Sequence, residues 1–139
     1  MIQRIQSIYL LLASISLLLM VLVPIGYQQT EAGVVAVVGM MENLPTLVSS
    51  VLGGIIALMT IFLFNNRKFQ LKINGLLIFM CLLVIGSIAL YQFVLGVNMI
   101  TTPNYIPYAL SGFALIFSIL SYRGIGADDK LVRSMDRLR

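Results

Sequence analysis

The chain has 139 residues, 60% hydrophobic and 10% charged, where a soluble domain carries about 45–50% apolar and about 25% charged residues. That excludes an ordinary soluble globule, and the length leaves room for a single membrane domain, 1–139, without a second core. Nine basic and five acidic residues give a net charge of +4; histidine is absent and cysteine occurs once, which excludes an internal disulfide and a metal centre built from Cys and His clusters.

Uncharged apolar blocks run over 5–23, 47–64, 73–95 and 106–122. At about 1.5 Å per residue each can cross a hydrocarbon core of about 30 Å as a helix, and each exceeds ordinary strand length. The expectation is an all-α integral membrane fold, a four-transmembrane-helix bundle. Prolines fall only at block boundaries, at Pro24, Pro45, Pro103 and Pro107, where a missing N–H does least harm. Asn43 or Thr46 is expected to cap the second helix and Asn104 the fourth. The first block also has the charge and apolarity of a secretory signal, but it is longer than a typical signal core and 24–27 lacks a small-residue cleavage site. It is therefore read as a helix.

Arg4 precedes the first block; Arg67, Lys68 and Lys72 lie between the second and third; Arg123, Lys130, Arg133, Arg137 and Arg139 follow the fourth. The connections 26–46 and 96–105 contain no basic residue, and the first holds Glu31 and Glu42. By the positive-inside rule both termini are expected in the cytoplasm and those two connections outside. Tyr9, Tyr27, Tyr91, Tyr105, Tyr108 and Tyr122 lie near block ends, where an amphipathic ring suits the headgroup layer.

Three segments outside the blocks have character of their own. The Val-rich stretch 33–41 is too short to span and is read as a strand, expected to pair with 97–101 in a small extracytoplasmic β element. The hairpin 65–72 offers Arg67, Lys68 and Lys72 to anionic headgroups or a partner, each cation being worth about 1 kcal/mol near a charged leaflet. It has too few cations for specific nucleic-acid binding, and no glycine-rich phosphate loop accompanies them. After Gly124 and Gly126, expected to break the fourth helix, Leu131, Met135 and Leu138 recur at helical spacing. A short C-terminal amphipathic helix is expected there, with Arg133, Arg137 and Arg139 as headgroup or partner contacts and the bilayer surface as its resting place.

Within the blocks no ionisable residue stands where an ion-coupled pump would need one. Ser49, Ser50, Gly53 and Gly54 have small-xxx-small spacing suited to close helix contact, and Gly86 and Gly112 are expected at further contacts. Cys81 is read as a small buried side chain. No catalytic, cofactor or metal site emerges, because a serine or cysteine nucleophile would lack a base.

The termini, from Met1-Ile2-Gln3-Arg4-Ile5-Gln6-Ser7 and from Asp128-Asp129-Lys130-Leu131-Val132-Arg133 to Arg139, resemble the opening and closing signatures of small Bacteroidota inner-membrane proteins grouped as domain of unknown function 4293. The resemblance implies a four-helix inner-membrane protein and brings no activity with it. Arg123-Gly124-Ile125-Gly126-Ala127 departs from the more basic, continuous helix of that family.

Three functional readings follow. The preferred one is a non-enzymatic accessory or scaffold component of a membrane complex, bound to a membrane-protein partner or to itself. The second is a small channel or transporter subunit with a path lined by Ser49, Ser50, Ser87, Gln92 and Ser111. A membrane-embedded enzyme is the least supported by the residues present.

Overall fold

A computed structural model describes residues 2–29, 35–39, 41, 43–64, 66–95 and 102–136. In chain order the elements are α1 (Ile2–Leu19), extended by a 3-10 turn over Met20–Leu22, then β1 (Gly26–Gln29), β2 (Val35–Val38) and α2 (Leu44–Phe62). They continue with α3 (Arg67–Leu90), prolonged by a π turn over Tyr91–Leu95, then β3 (Thr102–Pro103) and α4 (Ile106–Asp136). All four α-helices are long and apolar enough to cross a membrane. They form a ring in which α1 packs on α2 and α4, and α3 packs on the same two.

The buried face of each helix follows one spacing. On α1 it carries Gln6, Leu10, Ala13, Leu17 and Met20; on α2, Thr46, Ser50, Gly53, Ala57 and Thr60. On α3 it carries Gln70, Asn74, Leu77, Cys81, Val84 and Ile88; on α4, Pro107, Ser111, Ala114, Ser118, Ser121 and Ile125. Along these positions the steps alternate between four and three residues, close to the repeat of left-handed helix bundles, with Ser14, Ser49 and Gly54 buried beside them.

The outside is large and apolar, while the inside mixes small and polar residues with Leu10, Leu17, Leu77 and Ile88. Leu11, Leu52, Leu58, Phe79, Leu82, Phe113 and Ile116 are all exposed. A water-soluble bundle would reverse this arrangement, because contiguous exposed apolar surface is not stable in water. The protein is a multi-pass membrane protein whose helices associate through small residues and internal hydrogen bonds.

α1 and α2 approach closely at Gly53 and Gly54. A Cβ at Gly53 would meet Leu17 Cδ1 at 3.0 Å, and one at Gly54 would meet Leu18 Cγ at 2.8 Å. Ser14 Oγ donates across the same contact to Gly54 O at 3.0 Å. Gly86 and Gly112 do not occupy the helix contacts expected for them: a Cβ on either would have no atom within 4 Å. Small size permits close approach, but these two lie off the faces that approach.

Other sequence expectations also need correction. The helix break after Arg123 does not occur, and α4 runs unbroken to Asp136 instead of stopping before a separate tail helix. Two glycines cost a helix about 1 kcal/mol each relative to alanine; Ile125 between them is buried, and Gly124 lets Gln6 Cγ come to 3.0 Å from where a Cβ would stand. Packing outweighs propensity there. The basic residues expected in a hairpin loop lie in the first turns of α3, where Asn66 caps the helix by accepting from Phe69 N at 3.2 Å.

The small β element is present with different partners. Its order is β2-β1-β3, with β1 antiparallel to both neighbours. Gly26 faces Val38 and Gln29 faces Val35 across one edge, while Tyr27 faces Thr102 across the other. The Val-rich strand therefore pairs with the segment leaving α1, reached through a short connection, because closing a short loop costs less entropy than recruiting a distant one. The expected partner 97–101 lies outside the described residues.

Gly54→Leu is expected to lower stability by about 1–3 kcal/mol, the usual cost of overpacking. Gly86→Leu, which meets no neighbour, should instead raise it by up to about 1 kcal/mol, the helix propensity that glycine lacks. Reversible unfolding in mixed micelles measures both.

Candidate functional site

The bundle has a basic end, where the α2–α3 turn meets α1 and the lower half of α4, and a sheet end. The richest cluster of polar side chains in the basic half is built from the same faces that form the core. Gln70 and Asn74 stand one turn apart on α3, opposite Ser118 and Ser121 on α4, with Gln6 of α1 completing the belt. Gln70 Nε2 donates to Thr60 O at 3.0 Å, reaching a carbonyl in the last turn of α2; such carbonyls lack an intrahelical partner or share one. Asn74 Nδ2 donates to Ser118 O at 3.3 Å, and Ser118 Oγ donates to Ala114 O at 2.7 Å. Cys81 Sγ lies 3.9 Å from Ser118 Oγ.

Arg67 closes the belt on the outside. Its Nη1 lies 3.4 Å from Asp128 Oδ2 and donates to Asp128 O at 3.1 Å, tying the start of α3 to α4. Gln6, Ser7, Phe64, Arg67, Gln70, Ile125 and Asp128 surround a cavity of about 20 Å³, room for about one water. Three buried polar atoms of the belt, Gln6 Nε2, Asn74 Oδ1 and Ser121 Oγ, have no protein partner. Hydrogen bonding and helix tying are what this arrangement provides. Among the described residues no three Cys, Asp or Glu side chains converge as metal ligands would.

The sheet end is tied by two amides. Gln92 Nε2 donates to Ile25 O at 2.9 Å and to Asn104 O at 3.4 Å. Asn104 Nδ2 donates to Pro24 O at 2.9 Å, its backbone N to Ile25 O at 3.0 Å, and its Oδ1 accepts from Ile106 N at 3.1 Å, capping α4. The π turn explains how Gln92 reaches inward. Counting on from Val84 and Ile88, the repeat would bring Tyr91 to the core; in the wider turn Gln92 is buried there while Tyr91 packs, partly buried, beside it. Asn43 Nδ2 donates to Ser87 O at 3.2 Å, and Thr46 Oγ1 and Ser87 Oγ share a hydrogen bond at 2.7 Å. Neither Asn43 nor Thr46 therefore provides the expected side-chain cap for α2.

The residues singled out from sequence fall in several places. Ser49 donates to Pro45 O, Ser50 to Leu47 O, Ser87 to Val84 O and Ser111 to Tyr108 O, each a carbonyl of its own helix, and Ser87 alone of these also bonds across to Thr46. Lys68 and Lys72 are exposed on α3 while Arg67 is engaged with Asp128. Leu131 and Met135 are exposed on α4. The Arg133 side chain and all of Arg137, Leu138 and Arg139 lie outside the described residues. Sequence reasoning missed Gln6, Gln70 and Asn74. The signal was there in Gln70 and Asn74, two amides four residues apart at the mouth of an apolar block.

The family model described as "Domain of unknown function (DUF4293)" matches residues 2–138. The chain belongs to the DUF4293 family. No curated protein and no solved structure matches it. For this DUF4293 member the family match spans all four helices, both amide clusters and the described length of α4.

Asn104→Ala is expected to cost about 1–3 kcal/mol, since it removes the amide donor to Pro24 O and the side-chain cap on Ile106 N. Hydrogen exchange at Tyr27 should quicken with it. The Arg67–Asp128 pair is partly exposed, so a double-mutant cycle should return only about 0.2–1 kcal/mol.

Proposed function

We propose that this protein is a non-enzymatic accessory or scaffold component of a complex in the bacterial inner membrane, with both termini in the cytoplasm and the end of α4 as its contact. The observation that carries this is the continuity of α4. Its 31 residues extend about 46 Å, against a hydrocarbon core of about 30 Å. Beyond Asp128, where Arg67 fastens it, the helix continues with Leu131, Val132 and Met135 exposed. A rigid extension with an apolar stripe suits a protein partner at the membrane surface. The orientation draws support from Arg67, Lys68, Lys72, Arg123 and Lys130, which stand in the same half of the bundle, the half that positive-inside places in the cytoplasm.

The test removes 129–139 and compares gentle extractions. Partners recovered with the full chain should fall at least tenfold with the truncated one, while the truncated protein still inserts and elutes as a single species. A full-length chain that emerges alone, or partners that persist after truncation, would overturn the proposal. A Lys68→Cys variant should also resist membrane-impermeant thiol reagents in spheroplasts and react in inverted vesicles.

A further inference from the structure

Three cations stand in the first two turns of α3, and they do not share one environment. Arg67 is held by Asp128, whereas Lys68 and Lys72 are exposed and have no ion pair among the described residues. Each of these lysines immediately precedes a residue, Phe69 or Ile73, that lines a groove of about 440 Å³ between α2 and α3. The other walls are Ile56, Met59, Phe62 and Leu63, so every lining side chain is apolar. The volume falls within the range of about 300–1,000 Å³ typical of small-molecule sites.

The groove has a local origin. On the bundle side Gln70 reaches Thr60 and draws the helix ends together. On the outer side Met59, Phe62 and Phe69 splay apart, at 61%, 76% and 47% exposure. The opening therefore lies on the lipid-facing surface, at the depth where a helix passes from apolar to basic residues.

We propose that this groove holds an acyl chain of an anionic phospholipid, whose phosphate is met by Lys68 and Lys72. Charge complementarity selects the occupant. Neither α2 nor α3 contains an acidic residue, so nothing on those helices neutralises the two ammonium groups. A zwitterionic headgroup brings its own cation beside them, while an anionic one does not. Lysine stems reach past apolar surface to place the charge at headgroup level. The assignment is independent of any partner at α4.

The experiment reconstitutes the full chain in nanodiscs of equal phosphatidylglycerol and phosphatidylethanolamine, and counts retained lipids by native mass spectrometry. The wild type should retain phosphatidylglycerol in clear excess. In K68Q/K72Q that excess should fall by an order of magnitude or more, two cations at about 1 kcal/mol each, while K68R/K72R keeps it. Ile73→Trp, which fills the groove, should release both lipids; should that variant misfold, the exposed lysine pair still decides the matter. Equal retention by the wild type, or an undiminished preference in K68Q/K72Q, would overturn the assignment. So would a protein helix captured by a photocrosslinker at Met59 in native membranes.

Discussion

A carbonyl freed at a helix end or bend inside a membrane protein must find its donor within the protein, because hydrocarbon supplies none. In this chain side-chain amides add donors to such carbonyls: Thr60 O, Ser87 O and Ile25 O also accept a backbone N–H, and Asn74 adds a bond to Ser118 O inside α4. Gln70, Asn74, Gln92, Asn104 and Asn43 each donate an N–H to a main-chain carbonyl on another element: Thr60, Ser118, Ile25, Pro24 and Ser87 respectively. A carboxamide does this without bringing a charge into the bilayer, where a charge is costly. The amides gather towards the two ends of the bundle, where helices stop, turn or widen. Between those ends the helices meet through Leu77, Val84, Ala57 and Ala114, with Gly53 and Gly54 letting α1 lie close against α2.

The architecture was legible because it rests on a coarse property. Four long uncharged runs bounded by prolines and cations have few other solutions, and the expected helices are present. The inward faces were harder to read, because apolar residues surround every helix and hydrophobicity cannot say which side is the core. That information lies in the small and polar residues at alternating steps of three and four. Ser50, Ser111 and Ser118 mark it, as do the overlooked Gln6, Gln70 and Asn74.

Two further mismatches share a cause. Gly124 and Gly126 have low helix propensity, and the sequence reading ended a helix on them. The structure keeps the helix because Gln6 fits against Gly124 and Ile125 is buried beside it, a tertiary gain that local propensity does not contain. The Val-rich segment carries strand character in its sequence, but not the identity of its partner. Its actual neighbour is positioned by Gln92 and Asn104, which hold Pro24 and Ile25 and so fix where β1 begins. A single-sequence pattern carries strand character but not the anchors that decide pairing.

The unbroken α4 has a mechanical consequence. A helix with a break after Arg123 would let its far end swing freely; this one has no joint there, and it is gripped at Gly124 by α1 and at Asp128 by α3. A sideways load on Met135 then acts as a lever about that fulcrum. It is delivered to the bundle as torque on α1 and α3 rather than being absorbed by a slack tether.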